Sequence, residues 1–181
     1  KQKLPHGLSF LADEAEKRGL GFGLWVEPEM LNPKSQTFEE HPDWVIQQKD
    51  RQNILYREQL VLDLSNPKVQ EFVYESVANI LRENPKIAYI KWDCNRSFTN
   101  FGSTYLSADK QSHLWKDYVD ALYRIYQKLG EAFPKVIFQA CASGGGRIDY
   151  GILPYHHEFW TSDDTDALQR IYIQWGTNHI Y

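Results

Sequence analysis

Two aspartates follow short apolar runs: Asp93 closes IAYIKWD, residues 87–93, and Asp163 lies in WTSDDTD, residues 160–166. A pair of carboxyl groups across one bond is what glycoside hydrolysis needs; one attacks or activates water while the other protonates the leaving oxygen. Alone, an aspartate after a strand is as readily a turn former or a helix cap. Lys91 favours chemistry at Asp93. It stands two residues earlier and so shares one side of a strand, where a cation holds a carboxylate ionised and can bond hydroxyl groups. Trp92 and Arg96 flank the pair. In WTSDDTD, Asp164 or Thr165 is well placed as a helix N-cap. That leaves Asp163, nearest the strand end, to face a site.

CASGGGR, residues 141–147, offers bare backbone for close approach to a ligand. A phosphate loop is the rival reading, but no Lys-Ser/Thr pair follows the glycines and the GxGxxG spacing is absent. A glycine turn without a ligand stays open. His156, His157, Glu27, Glu29 and the aspartates are possible metal ligands. However, adjacent histidines on a strand point to opposite faces, and no HxH or HExxH spacing occurs; no metal is expected. Lys91 as a Schiff-base lysine is a further alternative, one that leaves Asp163 and the tryptophans unexplained.

The elements that must carry these residues alternate. A helix is expected over 8–18, with Leu8, Leu11, Ala12 and Ala15 on one face and Gly19 as its stop. GFGLWVEP reads as a buried strand ended by Pro28. Residues 29–59 read as a long loop with one short helix, and VLDLS, 61–65, as a doubtful strand. Asn66 and Pro67 open a helix to about residue 83. A strand over 87–93, a polar loop and a helix over 112–130 follow; Leu114, Tyr118, Leu122, Ile125, Tyr126 and Leu129 face inward. A strand over 135–140, the glycine loop, a strand over 158–164 and a helix over 165–175 complete the chain.

Strands and helices in alternation imply parallel pairing with right-handed crossovers. A doubly wound sheet gathers chemistry at one switch point; a barrel gathers it at the C-terminal ends of all its strands. Here every clear strand ends in reactive residues: Trp25 and Glu27, Lys91 to Asp93, Cys141 and Ser143, Asp163 and Asp164. The expected fold class is therefore α/β, a partial (β/α)8 TIM barrel. Four clear strands are too few to close one, so residues 1–181 read as the central part of one catalytic barrel.

The sequence has 181 residues, 42% hydrophobic and 24% charged, an ordinary soluble composition. The net charge of −4 argues against nucleic acid or an anionic membrane as partner. Aromatic residues reach 14%, with 6 Trp and 11 Tyr, and their flat faces suit the apolar C–H faces of sugar rings. Cys94 and Cys141 are the only cysteines and make no CxxC pair, so nothing suggests an oxidising compartment; a cytoplasmic location is expected. No run of 18 apolar residues exists to span a membrane.

GLWVEPEM, YIKWDCNR, CASGGGRID and WTSDDTDALQR, in that order, resemble successive motifs of the family 36 glycoside hydrolases, the melibiase-type α-galactosidases. The resemblance runs from about residue 8 to 178. It implies a retaining glycosidase that releases terminal α-galactose without a cofactor, with Asp93 as nucleophile and Asp163 as acid/base. It further implies that Lys91 contacts sugar hydroxyls, Trp25 lines the sugar pocket, and Arg57 reaches toward sugar and nucleophile. Ser143 and Gly144 would contact the 2-hydroxyl. An α-galactoside oligosaccharide is the expected substrate, and the full-length enzyme is expected to be a homo-oligomer. The family commonly has KWDMNR, where Cys94 here replaces the methionine. The family's paired aspartates for the 4- and 6-hydroxyls match no segment and are expected before Lys1. The rivals are an α-N-acetylgalactosaminidase, a raffinose-synthase-type transferase, and a sugar-binding protein on an inactive barrel.

Overall fold

A computed structural model describes residues 3–181. They fall into two compact units. One holds residues up to Val26 with Ile80–Cys94 and Phe133–Tyr181; the other holds Glu27–Asn79 and Asn95–Ala132. The second unit is thus made of the two long segments that follow the first two strands of the sheet.

The first unit carries a four-stranded parallel sheet. Helix α1 (Gly7–Glu16) precedes β1 (Phe22–Val26). The chain after α1 turns at Gly19, whose φ of +72° a residue with a side chain adopts reluctantly, and the Gly19 and Leu20 amides close back on Glu16 and Ala15. This is the stop expected from the sequence. Strands β4 (Ile87–Trp92), β5 (Ile137–Ala140) and β6 (Glu158–Phe159) complete the order β1-β4-β5-β6. Helix α5 (Ala167–Thr177) follows β6.

Register decides which residues share a face. Trp25 pairs with Lys91, Lys91 with Gln139, and Gln139 with Glu158. Paired residues of parallel strands point the same way, so these four form one polar row. The next row, Val26, Trp92, Ala140 and Phe159, points oppositely. Trp92 and Ile90 are wholly buried, and Phe138 and Ala140 are nearly so. Trp92 belongs to the packed face, which corrects the expectation that it flanks the site.

The second unit carries β2 (Met30–Leu31), antiparallel to β3 (Leu60–Val61), with the short helix α2 (Gln36–Glu40). The strand expected at 61–65 stops at Val61. Asp63 ends it by turning its carboxylate onto the Ser65 amide and hydroxyl, 3.0 and 2.6 Å away, while Ser103 Oγ donates to its other oxygen at 2.5 Å. Asn66 then caps α3 (Pro67–Glu83) through the Lys68 amide at 3.0 Å. Helix α4 (Leu114–Ala132) buries all six residues named for its inner face. Glu29 is wholly buried and accepts a hydrogen bond from the Tyr118 hydroxyl.

Among the described residues no helix is long and apolar enough to cross a membrane.

Candidate active site

The sheet ladder continues one residue past three strands, and it delivers the site. The Asp93 amide bonds Val26 O at 2.9 Å, the Cys141 amide Trp92 O at 2.8 Å, and the Trp160 amide Ala140 O at 2.9 Å. Each residue is therefore pinned at the C-terminal end of the sheet, where a β/α fold gathers its chemistry.

Asp93 is only 6% exposed. Its Oδ2 accepts the Trp25 indole N–H at 2.9 Å. Its Oδ1 accepts the Cys94 amide at 2.8 Å and faces the Ser143 amide at 3.4 Å. Trp25 is 55% exposed, so one edge of its ring grips the carboxylate while the rest lines open space. The Cys141 thiol is buried; its pKa is pushed up to about 11 by that burial, and by hydrogen bonding to Asp93 and the nearby carboxylate charge. The thiol stays protonated at neutral pH.

Asp163 is exposed, and its Oδ1 accepts the Trp160 indole N–H at 2.8 Å. The other aspartates of WTSDDTD serve the backbone. Asp164 Oδ1 accepts the Asp166 amide at 2.9 Å. Asp166 caps α5, taking the Leu168 and Gln169 amides at 3.1 and 2.9 Å. The cap thus falls on Asp166 rather than on Asp164 or Thr165. The expected strand over 158–164 ends at Phe159, because Thr161 O turns away to accept the Gly145 amide at 3.1 Å.

That turn gives the glycine loop a use the sequence did not reveal. A Cβ on Gly144 would lie 2.8 Å from Ser162 Cα, and one on Gly145 would lie 2.9 Å from Thr161 O. The bare faces of these glycines meet the segment that carries Asp163. Ser143, at φ +49°, is exposed at the loop tip.

Lys91 directs its ammonium over the Trp160 ring, 4.5 Å from the centroid. Below it in the row, Glu158 Oε2 accepts the Tyr89 hydroxyl at 2.9 Å and Gln139 Nε2 at 3.0 Å. Asp93, Asp163, Trp25, Lys91, Ser143 and Gly144 therefore share one unit. Arg57 belongs to the other, exposed in a turn at φ +55°. Arg96, also there, is buried and donates to Ser97 O and Thr99 Oγ1 in its own loop and to Ile54 O in the preceding long segment. The glutamates considered as metal ligands have protein partners: Glu27 accepts from Gln59 and from the Asn95 amide, and Glu29 accepts from Tyr118. Among the described residues no three His, Cys, Asp or Glu side chains cluster to hold a metal ion. Trp160, the hydrogen-bond partner of Asp163, is not among the site residues expected from the sequence; the available signal was its position three residues before the carboxylate.

The four parallel strands with their helices form part of a (β/α)8 barrel, with Asp93 directly after β4 and Asp163 between β6 and α5. A family model described as Melibiase matches residues 1–181, and the chain belongs to that family. It is 43% identical over 181 residues to the α-galactosidase AgaA of Geobacillus stearothermophilus, covering all of this chain and 25% of that protein. It is 40% identical to the α-galactosidase Mel36A of Lactobacillus acidophilus, again with all of this chain and 25% of that protein covered. The crystal structure of the family 36 enzyme AgaA superposes with a TM-score of 0.94 at 42% identity, covering 98% of this chain and 24% of that one. A variant of AgaA has been crystallised with raffinose. The chain thus spans about a quarter of the length of the relatives it matches.

Proposed function

We propose that this chain is the central part of the catalytic barrel of a retaining α-galactosidase. The observation that carries this reading is the pair of carboxylates, Asp93 directly after β4 and Asp163 on the segment between β6 and α5, each accepting a tryptophan N–H. Asp93 attacks the anomeric carbon while Asp163 donates its proton to the leaving oxygen. Asp163 then takes a proton from water as that water displaces Asp93. Buried in the first unit and bonded by N–H groups on both oxygens, Asp93 is fixed for attack. Asp163 is open to the leaving oxygen and to the incoming water.

Lys91 and Ser143 supply hydroxyl contacts, Gly144 contributes backbone beside them, Trp25 offers an apolar face, and Arg57 is retained from the family resemblance. The α-galactosidase names of the relatives and the raffinose complex of AgaA support terminal α-galactosides of the raffinose type as substrates. We place the enzyme in the cytoplasm, supported by Cys94 and Cys141, which form no disulfide. The test is stereochemical. The full-length enzyme acting on an aryl α-galactoside should release α-galactose first, seen by proton NMR before mutarotation. First release of the β anomer would refute the double displacement, and no turnover of any α-galactoside would refute the enzyme.

A further inference from the structure

Trp160 holds together more than its own strand. Its Nε1 donates to Asp163 Oδ1 at 2.8 Å. Two cations lie over its ring: Lys91 Nζ at 4.5 Å and Arg170 Cζ at 4.7 Å from the centroid. Arg170 also donates to Ser162 O at 2.9 Å, the carbonyl immediately before Asp163. The backbone of Trp160 is itself fixed on the ladder by Ala140 O. Asp163 has no comparable anchor of its own: it is exposed, lies past the end of β6 and precedes α5. A short side chain in such a place samples several rotamers, whereas a proton donor must keep one geometry.

We propose that Trp160 is a positioning residue for Asp163, its N–H fixing the carboxyl group and the cations of Lys91 and Arg170 fixing the indole plane. The proposal rests on the reading of Asp163 as acid/base. In the first step the Asp163 carboxyl gives its proton to the leaving oxygen as the bond to the anomeric carbon breaks. The carboxylate that remains holds the Trp160 N–H more tightly than the acid did, because hydrogen bonds to an ionised acceptor are stronger. The contact therefore grows along the reaction, which is the condition for it to accelerate the step rather than merely to bind. In the second step water returns a proton to the same carboxylate. The indole proton is never transferred. Arg170 restrains the turn from the other end, through Ser162.

The experiment compares kcat/KM of the full-length enzyme on aryl α-galactosides with good leaving groups and on alkyl α-galactosides with poor ones. Trp160→Phe keeps a ring for the cations and removes the N–H. It should lose about tenfold on poor leaving groups and less than about threefold on good ones. Asp163→Ala is the reference and should lose far more, in the same pattern. The double variant should be no worse than Asp163→Ala alone, since the two residues act as one unit. Arg170→Met, which leaves the N–H in place, should shift the same way by a smaller factor, and it decides the question if Trp160→Phe folds poorly. Equal losses on both substrate classes for Trp160→Phe or Arg170→Met would overturn the proposal. If Asp163→Ala shows the leaving-group pattern and Trp160→Phe does not, positioning fails alone. If Asp163→Ala lacks the pattern, the acid/base assignment fails and the positioning role falls with it.

Discussion

A Cβ placed on Gly144 would come within 2.8 Å of Ser162 Cα and 3.3 Å of the Asp163 amide nitrogen. Gly144 also sits at φ +91°, where a side chain is strained at any size. Gly144→Ala therefore combines a backbone penalty with a push on the segment that carries Asp163, the proposed acid/base. Misplacing a catalytic group by about 1 Å costs about a hundredfold in rate, so we expect the full-length variant to lose between about 10- and 100-fold in kcat/KM. Steady-state kinetics on an alkyl α-galactoside checks this. An unchanged rate in Gly144→Ala would mean that the loop does not position Asp163.

Asp93→Ala in the full-length enzyme should abolish turnover, and azide should restore part of it by filling the vacated space. One displacement then replaces two, so the rescued product is the inverted β-galactosyl azide. Product NMR reads this directly. A retained α-azide would assign Asp93 to acid/base work instead.

Much of this site was legible because it is written locally. Lys91 and Asp93 share a strand side by simple alternation, and Asn66-Pro67 and Gly19 mark their helix ends with residues whose backbone preferences leave little choice. The motif order then gave the family. What stayed hidden depends on partners distant in sequence. The two-residue pairing of Met30–Leu31 with Leu60–Val61 has no period long enough to detect. Thr161 reads as strand until the Gly145 amide claims its carbonyl. Any of Asp164, Thr165 and Asp166 suits a cap by type, and only the start of α5 at Ala167 selects Asp166. The packing of Gly144 against Ser162 joins loops whose sequences say nothing of each other.

His156 gives a pH prediction. It is 8% exposed, and burial, reinforced by the positive charge of Arg147, pushes its pKa down to about 4. Unfolded, an imidazole titrates near 6.5. Between those values the unfolded chain binds a proton that the folded chain refuses, so stability rises with pH through this window. The contribution is fully present above about pH 6.5 and is lost as pH falls toward 4, by roughly 3 kcal/mol at most. Thermal midpoints of the full-length enzyme at pH 7 and pH 5 should therefore diverge more in the wild type than in His156→Gln. Equal divergence in both would place the acid sensitivity elsewhere.

The 181-residue chain by itself should be inactive. Its two candidate carboxylates are present, but it spans only about a quarter of its relatives, and no segment of it matches the paired aspartates expected to bind the 4- and 6-hydroxyls. Binding energy from such remote groups drives the reacting centre toward its transition state, so their loss costs rate as well as affinity. Its own surface points the same way. Leu168, Ile171, Tyr172 and Trp175 of α5 are all more than half exposed, and β1 and β6 form the two edges of the sheet. Apolar patches and unpaired edges both promote association. The purified chain should thus elute as aggregates in size-exclusion chromatography and leave an aryl α-galactoside intact. A monomeric preparation that hydrolyses it at an ordinary enzymatic rate would show that the catalytic unit is complete within these residues, while leaving the assignments of Asp93 and Asp163 standing.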